Sequence, residues 1–135
     1  MTGHAPHPSS VLTLMSAYDL DTTIAKLKTA LATAGATVFA DVDQREAATQ
    51  VGLELRRTRL ILFGNPKAGT PVMVANPHSA LELPLRLVVW EDDEGRTHVD
   101  YADVTQTLGP NYGLDAALLA PLQRVPALLQ GALQS

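Results

Sequence analysis

An apolar stripe in the first quarter of the chain is the feature that most restricts what this sequence can fold into. The stripe has four members at spacings of 4, 3 and 4, namely Leu20, Ile24, Leu27 and Leu31. Asp19 and Asp21 are candidate N-cap residues before it, and Gly35 is placed to end it in a left-handed conformation. Because this spacing puts the apolar residues on one helix face, the sequence predicts a helix that buries one side against a second layer.

Strand patterns surround this helix. Residues 11–15 form a short apolar run without helix caps, and residues 36–42 alternate between apolar and polar side chains. Another apolar run at residues 58–63 predicts a third strand. Residues 84–91 and 96–102 are two further runs, joined by an acidic turn that ends in Gly95. Such a turn between alternating runs is typical of a β-hairpin.

Shorter helices are predicted between and after the strands. One covers residues 44–52, and one runs from Asn65 to about residue 75. Leu108-Gly109-Pro110 is predicted to be a turn, a helix is predicted to contain Leu114, Leu118, Leu119 and Leu122, and a last helix is predicted to begin at Pro126.

The resulting order, β-α-β-α-β-α-β-β-α-α, predicts an α+β fold. We expect a single two-layer domain over residues 10–135, with a mixed five-stranded sheet and helices packed mainly on one face. Residues 1–9 are rich in proline, serine and histidine and are predicted to be a flexible tail. His4 and His7 in this tail are interpreted as solvated side chains rather than as metal ligands.

The composition narrows the classes of function. Fourteen acidic residues against ten lysines and arginines leave a net charge of −4, which does not favour a nucleic-acid partner. The chain has no cysteine, so disulfides and thiolate metal sites are excluded. No apolar run reaches the roughly 18 residues of a membrane span, and the first ten residues lack a signal-peptide pattern. We therefore predict a cytoplasmic protein without a metal, a cofactor, a nucleic-acid partner or a membrane partner.

Both faces of the three central strands are apolar. Alternation predicts one face that contains Leu60, Leu62, Leu85, Leu87, Val89, Val99 and Tyr101. The apolar members of the opposite face are then Ile61, Phe63, Val88 and Trp90. Exposure of such a face costs about 25 cal/mol per Å² of apolar surface, so it needs a cover. The C-terminal helices or a second copy could cover it, and we favour a homodimer because symmetric pairs dominate soluble oligomers.

The segment from Phe63 to Thr70, with sequence FGNPKAGT, is the first candidate site. A strand ends there, glycine turns the chain, and a helix begins beside Lys67. Free N–H groups at a helix start favour an anion, to which Asn65 and Thr70 could add hydrogen bonds. The alternative is a capped turn with a solvated lysine. A phosphate-binding P-loop is not matched, because Thr70 and Pro71 follow Gly69.

Two other groups of polar residues are weaker candidates. His98 and Asp100 share one strand face and could form a general base, although a hydrogen-bonded structural pair is the favoured interpretation. A charged cluster lies where a strand meets a helix and consists of Asp41, Asp43, Arg45 and Glu46. An N-cap with surface ion pairs is its favoured interpretation. If strand ends gather at one edge, however, Asp43 and Arg45 would adjoin the Lys67 site.

The segments TRLILFGNPKAGTPVMVAN and LELPLRLVVWEDDEGRTHVDY closely resemble the domain-of-unknown-function 302 family. The resemblance extends to the helix that ends at Gly35 and to the stretches VDQREAA and VGLEL, and covers about residues 10–115. It implies a small α+β domain that pairs as a homodimer, with no established reaction. Family members often carry histidine where this chain has Gln44, and glutamine neither titrates nor ligates a metal well.

These observations lead to one main hypothesis about function. We expect a homodimeric domain that binds a small anionic molecule near Asn65, Lys67 and Thr70, with Asp43 and Arg45 as neighbours. No catalytic motif is present in the sequence. The alternatives are an enzyme that uses an acidic or His98-centred base in the same cleft, and a structural module that binds a partner through the second sheet face.

Overall fold

Five strands form one sheet in the computed structural model, which describes residues 5–134. They are β1 (Val11–Met15), β2 (Thr37–Asp43), β3 (Thr58–Gly64), β4 (Leu85–Glu91) and β5 (Thr97–Ala102). The strand order is β1-β5-β4-β3-β2, and every neighbouring pair is antiparallel. The predicted two-layer α+β fold is confirmed, but the expectation of a mixed sheet is wrong. The first two strands lie at opposite edges, so the helix between them joins no parallel pair.

Six α-helices accompany the sheet in the described part of the chain. They are α1 (Leu20–Thr33), α2 (Gln44–Gln50), α3 (Pro66–Ala75), α4 (Thr105–Tyr112), α5 (Ala116–Leu119) and α6 (Val125–Leu133). Short 3-10 helices cover Pro77–Glu82 and Leu122–Arg124. Residues 5–9 carry no helix or strand, and the part of the predicted tail that contains His4 lies outside the described residues.

The first helix forms as its sequence predicts. The Asp19 side chain accepts a hydrogen bond from the Thr22 N–H at 2.8 Å, which caps α1. Its apolar stripe is buried, and Gly35 follows with a positive φ of 84°.

The C-terminal region departs from expectation at two points. The four leucines predicted to share one helix do not, because only Leu118 and Leu119 lie in α5, whereas Leu114 precedes it and Leu122 lies in a 3-10 helix. Leu108-Gly109-Pro110 lies inside α4 rather than in a turn. That helix ends instead at Gly113, in the left-handed region.

The C-terminal helix packs in the same layer as α1. The Ala17 N–H, at the end of β1, donates to the Leu133 carbonyl at 2.9 Å, and both Leu129 and Leu133 are buried in the core. The C-terminal helices therefore do not cover the second sheet face. That face stays open in the single chain.

The core lies between one sheet face and the helices, and the register decides which residues enter it. Ile61 is opposite Leu87 and Phe63 is opposite Leu85, so these four side chains point to the same buried side. The predicted placement of Ile61 and Phe63 on the second face is therefore wrong.

Leu60 and Leu62, which were assigned to the core face, lie on the open face instead. Leu60 pairs with Val88 there, and Trp90 lies two residues further along β4. We call the partly exposed surface formed by Leu60, Leu62, Val88 and Trp90 the open face.

Candidate functional site

The turn after β3 is built around Asn65. Its side-chain Oδ1 accepts from the Lys67 N–H at 3.0 Å, and its carbonyl accepts from the N–H groups of Ala68 and Gly69, each at 2.9 Å. Pro66, the first residue of α3, has no N–H to offer. All amides of the first turn are therefore occupied, and the free N–H groups predicted to bind an anion are not available. The capped-turn interpretation describes this helix start.

Two adjacent cavities flank the same turn. The first has a volume of about 230 Å³ and is lined by Phe39, Gly64, Asn65, Pro66, Gly69, Thr70, Met73, Leu83, Pro84, Leu85 and Leu122. The second has a volume of about 340 Å³ and is lined by Leu31, Ala34, Ala36, Phe63, Gly64, Asn65, Ala68, Leu85, Pro121, Leu122, Arg124, Val125 and Leu128. Four residues belong to both walls, namely Gly64, Asn65, Leu85 and Leu122.

Few polar side chains interrupt these apolar walls. Asn65 contributes its amide, and Thr70 contributes a hydroxyl to the first cavity. Arg124 is the single charged residue in either wall. Since Oδ1 of Asn65 is used by the helix cap, its Nδ2 group is the donor that remains, and it has no hydrogen-bond partner within residues 5–134.

The predicted anion-site residues are only partly brought together. Asn65 and Thr70 line the first cavity, whereas the Lys67 side chain is exposed and outside both walls. Asp43 and Arg45 lie elsewhere. Thr37 is the partner of Gly64 in the β2–β3 ladder, and Asp43 is at its other end. Asp43 pairs with Arg59, which is five residues before Gly64 on β3, so Asp43 and the Gly64 turn are separated by about 17 Å at 3.4 Å per residue.

The charged cluster on β2 forms caps and ion pairs. Asp43 accepts from the Glu46 N–H at 2.9 Å and so caps α2. Asp41 accepts from Arg59 Nε at 2.8 Å and from Lys28 Nζ at 2.7 Å. The Arg59 guanidinium, followed by Lys28, lowers the pKa of Asp41 to about 2. These contacts support the structural interpretation of the cluster.

His98 lies on the sheet side that carries the open face and lines neither cavity. Its Nε2 is 2.8 Å from Asp92 Oδ2, and its ring stacks on Trp90 at a centroid distance of 4.1 Å. Asp100 instead accepts from Thr13 Oγ1 at 2.7 Å and from Trp90 Nε1 at 2.9 Å. The expected His98–Asp100 pair is therefore replaced by a His98–Asp92 pair. The hydrogen bond from His98 lowers the pKa of Asp92 to about 2.

Several wall residues were not predicted from the sequence. Phe39 stands at a bulge in β2 between Val38 and Ala40, and its side chain is 55% exposed. Arg124 has one recognisable signal, since no other lysine or arginine follows Arg96 in the sequence. In the structure Arg124 is exposed, as Lys67 is, but it lines the second cavity. Phe39 had no comparable signal, because the alternation of apolar and polar residues in a sequence does not show where a strand has a bulge.

Two other kinds of feature, a metal site and a membrane span, are absent from the described residues. No group of three or more histidine, aspartate and glutamate side chains between residues 5 and 134 is placed to hold a metal ion. Within the same range, the helices are too short or too polar to cross a membrane.

Comparison with known proteins identifies the family. The profile of the domain of unknown function DUF302 matches residues 12–135. The chain belongs to the DUF302 family. A solved DUF302 structure, an uncharacterised conserved protein from Bacillus stearothermophilus, has the same fold, with a TM-score of 0.78 and 22% sequence identity. The match covers 93% of this chain and 97% of that one.

Curated relatives are longer proteins. The chain is 35% identical over 95 residues to the protein named fluoride-specific ion channel FluC 1 from Brucella suis, and equally to that of Brucella abortus. The matched region is 70% of this chain but only 37% and 35% of those proteins. This DUF302 chain therefore spans little more than a third of the curated relatives it matches.

Gln44, where the resemblance to DUF302 implies a frequent histidine, is the first residue of α2 and is half-buried. It belongs to neither cavity wall.

Proposed function

We propose that this DUF302 protein is a homodimeric binding domain that holds a small, largely apolar molecule in the cavities beside Asn65. The observation that supports the proposal is that two apolar cavities lie next to each other at one turn and that their walls contain few polar groups. Binding sites for small molecules have this composition, in which apolar walls supply affinity and a few donors fix orientation. A cytoplasmic location, and the absence of nucleic-acid and membrane partners, stay predictions.

Cavity size limits the ligand. The first cavity, at about 230 Å³, corresponds to about eight water molecules at roughly 30 Å³ each. Water gains little there, because a bound water needs two to four polar partners and this wall offers mainly Asn65 and Thr70. A compact apolar molecule replaces such water favourably.

A glycine in the wall allows the site to be narrowed without disturbing the fold. A Cβ added at Gly69 would lie 3.8 Å from Leu83 Cδ1, which is an ordinary contact. Gly69→Ala should therefore keep the fold and reduce the space in the first cavity. Gly131→Ala is the matched control, because Gly131 is also helical, lies in neither wall, and has no atom near an added Cβ.

The test uses 1-octanol as a neutral probe in a protein-detected NMR titration. We expect shifts at Phe39, Met73 and Leu83, several-fold weaker binding by Gly69→Ala, and unchanged binding by Gly131→Ala. Absence of saturable binding to the unmodified protein, or equal loss in both variants, would contradict the ligand site.

The open face supports the homodimer. Apolar side chains from two strands are partly exposed there, and the same sheet side carries the cation Arg86 and the anion Asp100, with Arg56 and the His98–Asp92 pair beside Trp90. A two-fold axis brings each patch against its own copy, so the interface must be self-complementary. An apolar face with charges of both signs meets that requirement, since Arg86 of either copy can approach Asp100 of the other.

Light scattering after gel filtration tests the pairing. We expect a mass of two chains for the unmodified protein and of one chain for Val88→Arg, because two like charges would then be buried at the interface. Val74→Arg is the control, since Val74 is 78% exposed on α3 and away from the sheet. A one-chain mass for the unmodified protein would exclude this homodimer.

A further inference from the structure

The second cavity has a polar feature that the ligand site described above does not use. Its wall contains Arg124, which is the only charged residue lining either cavity. Arg124 forms no ion pair with any side chain of residues 5–134. Five other basic residues form ion pairs: Lys28 and Arg59 with Asp41, Arg57 with Asp21, Arg56 with Asp93, and Arg96 with Asp92. Arg124 therefore differs from the other basic residues that are unpaired within this range, Lys26, Arg45, Lys67 and Arg86, in lining a cavity and not in lacking an ion pair.

Asn65 adds a donor to the same wall. Its Oδ1 faces the helix cap, so Nδ2 is free to donate a second bond. The side chain lies close to Gly35, where an added Cβ would be 3.6 Å from Nδ2. An arginine guanidinium and an amide N–H₂ are the groups that bind a carboxylate with both charge and direction.

We infer that the ligand is an organic acid, whose carboxylate binds between Arg124 and Asn65 Nδ2 while its hydrocarbon part occupies the apolar cavities. This inference rests on the proposed ligand-binding function and names the ligand class. The remaining side chains around the second cavity are hydrocarbon, including Leu31, Phe63 and Leu128. A free inorganic anion would leave those walls unfilled, so an acid with an aliphatic or aromatic body fits better.

The inference also replaces the predicted anion site. Lys67, the basic residue of the FGNPKAGT segment, is exposed and lies outside both walls. The basic group that does reach a cavity comes from the C-terminal part of the chain, about 60 residues later in the sequence.

Octanoate and 1-octanol provide a matched pair of probes, because they have the same chain length and differ in charge. We expect octanoate to bind the unmodified protein at least about tenfold more tightly than 1-octanol. Arg124→Gln should remove most of that preference by weakening octanoate binding much more than 1-octanol binding. Lys67→Gln is the control, since it removes one positive charge nearby, and it should keep the preference.

Asn65→Asp separates the amide from the helix cap. Aspartate caps a helix as well as asparagine does, so α3 should form normally. The variant loses the Nδ2 donor and adds a negative charge, and octanoate should then bind no better than 1-octanol.

Equal affinities of the unmodified protein for the two probes would overturn the carboxylate site and leave the ligand site standing. The same conclusion follows if Lys67→Gln lowers octanoate binding as much as Arg124→Gln does, because the effect would then be one of net charge. Failure of both probes to bind would instead refute the proposed ligand-binding function itself.

Discussion

The two faces of the sheet have similar apolar composition but different surroundings. On the face covered by helices, Ile61, Phe63 and Leu87 are at most 1% exposed. On the open face, Leu60, Val88 and Trp90 remain partly exposed. The polar groups also differ. The open side carries the His98–Asp92 pair and Asp100, whereas the covered side has ion pairs only at its edge, where Asp41 binds Arg59 and Lys28. The comparison shows that apolar content alone does not identify the core; strand register does.

The largest effect is expected from adjacent residues of β3 that point to opposite faces. Phe63→Ala should lower the free energy of unfolding by about 3–5 kcal/mol, because it leaves a cavity in the core. Leu62→Ala should lower it by only about 1 kcal/mol in a single chain, because Leu62 keeps part of its surface in water. Urea denaturation measures both, in the Val88→Arg background so that dimerisation does not contribute. Equal losses would show that the two faces are not energetically distinct.

A smaller effect is expected at the margin of the covered face. Asp41 has a pKa of about 2 in the folded protein against 3.8 ordinarily. Its stabilising contribution is therefore complete above about pH 4 and is lost as the pH falls toward 2. Because the pair is partly exposed, we expect about 1–2 kcal/mol. Asp41→Asn should lower the unfolding free energy at pH 6 by this amount and flatten its dependence between pH 5 and pH 2.

The control for that measurement is Asp103→Asn, which removes a carboxylate that accepts from Thr105 and has no ion pair in the described part of the chain. If the free energy of unfolding of Asp41→Asn falls between pH 5 and pH 2 as much as that of the unmodified protein, other carboxylates cause the pH dependence.

The smallest effect concerns the hairpin at the end of the open side. Asp92 has its pKa lowered to about 2, first by the His98 hydrogen bond and then by the backbone N–H groups of Arg96 and Glu94. His98→Phe keeps an aromatic ring on Trp90 but removes the donor. In an NMR titration of the carboxyl carbon, the midpoint of Asp92 should rise toward its ordinary value without reaching it. If the Asp92 midpoint in His98→Phe stays near 2, the backbone amides alone lower the pKa.

Local sequence patterns determined the elements of this protein and the chemistry of their ends. The stripe of α1, the Asp19, Asp43 and Asn65 caps, and the acidic hairpin turn are all decided by residues close together in the chain. Each depends on residues that are near one another in the sequence, so each was predictable.

Tertiary structure alone decided the register of β3, the strand directions and the position of the site. Residues 60–63 are apolar without interruption, so alternation cannot say which of them face the helices; pairing with Leu85 and Leu87 does. The antiparallel order puts Asp43 at the far end of the sheet from the Gly64 turn. The same turn instead shares a cavity wall with Arg124 from the C-terminal region, because packing against the core brings together segments that no spacing in the sequence relates.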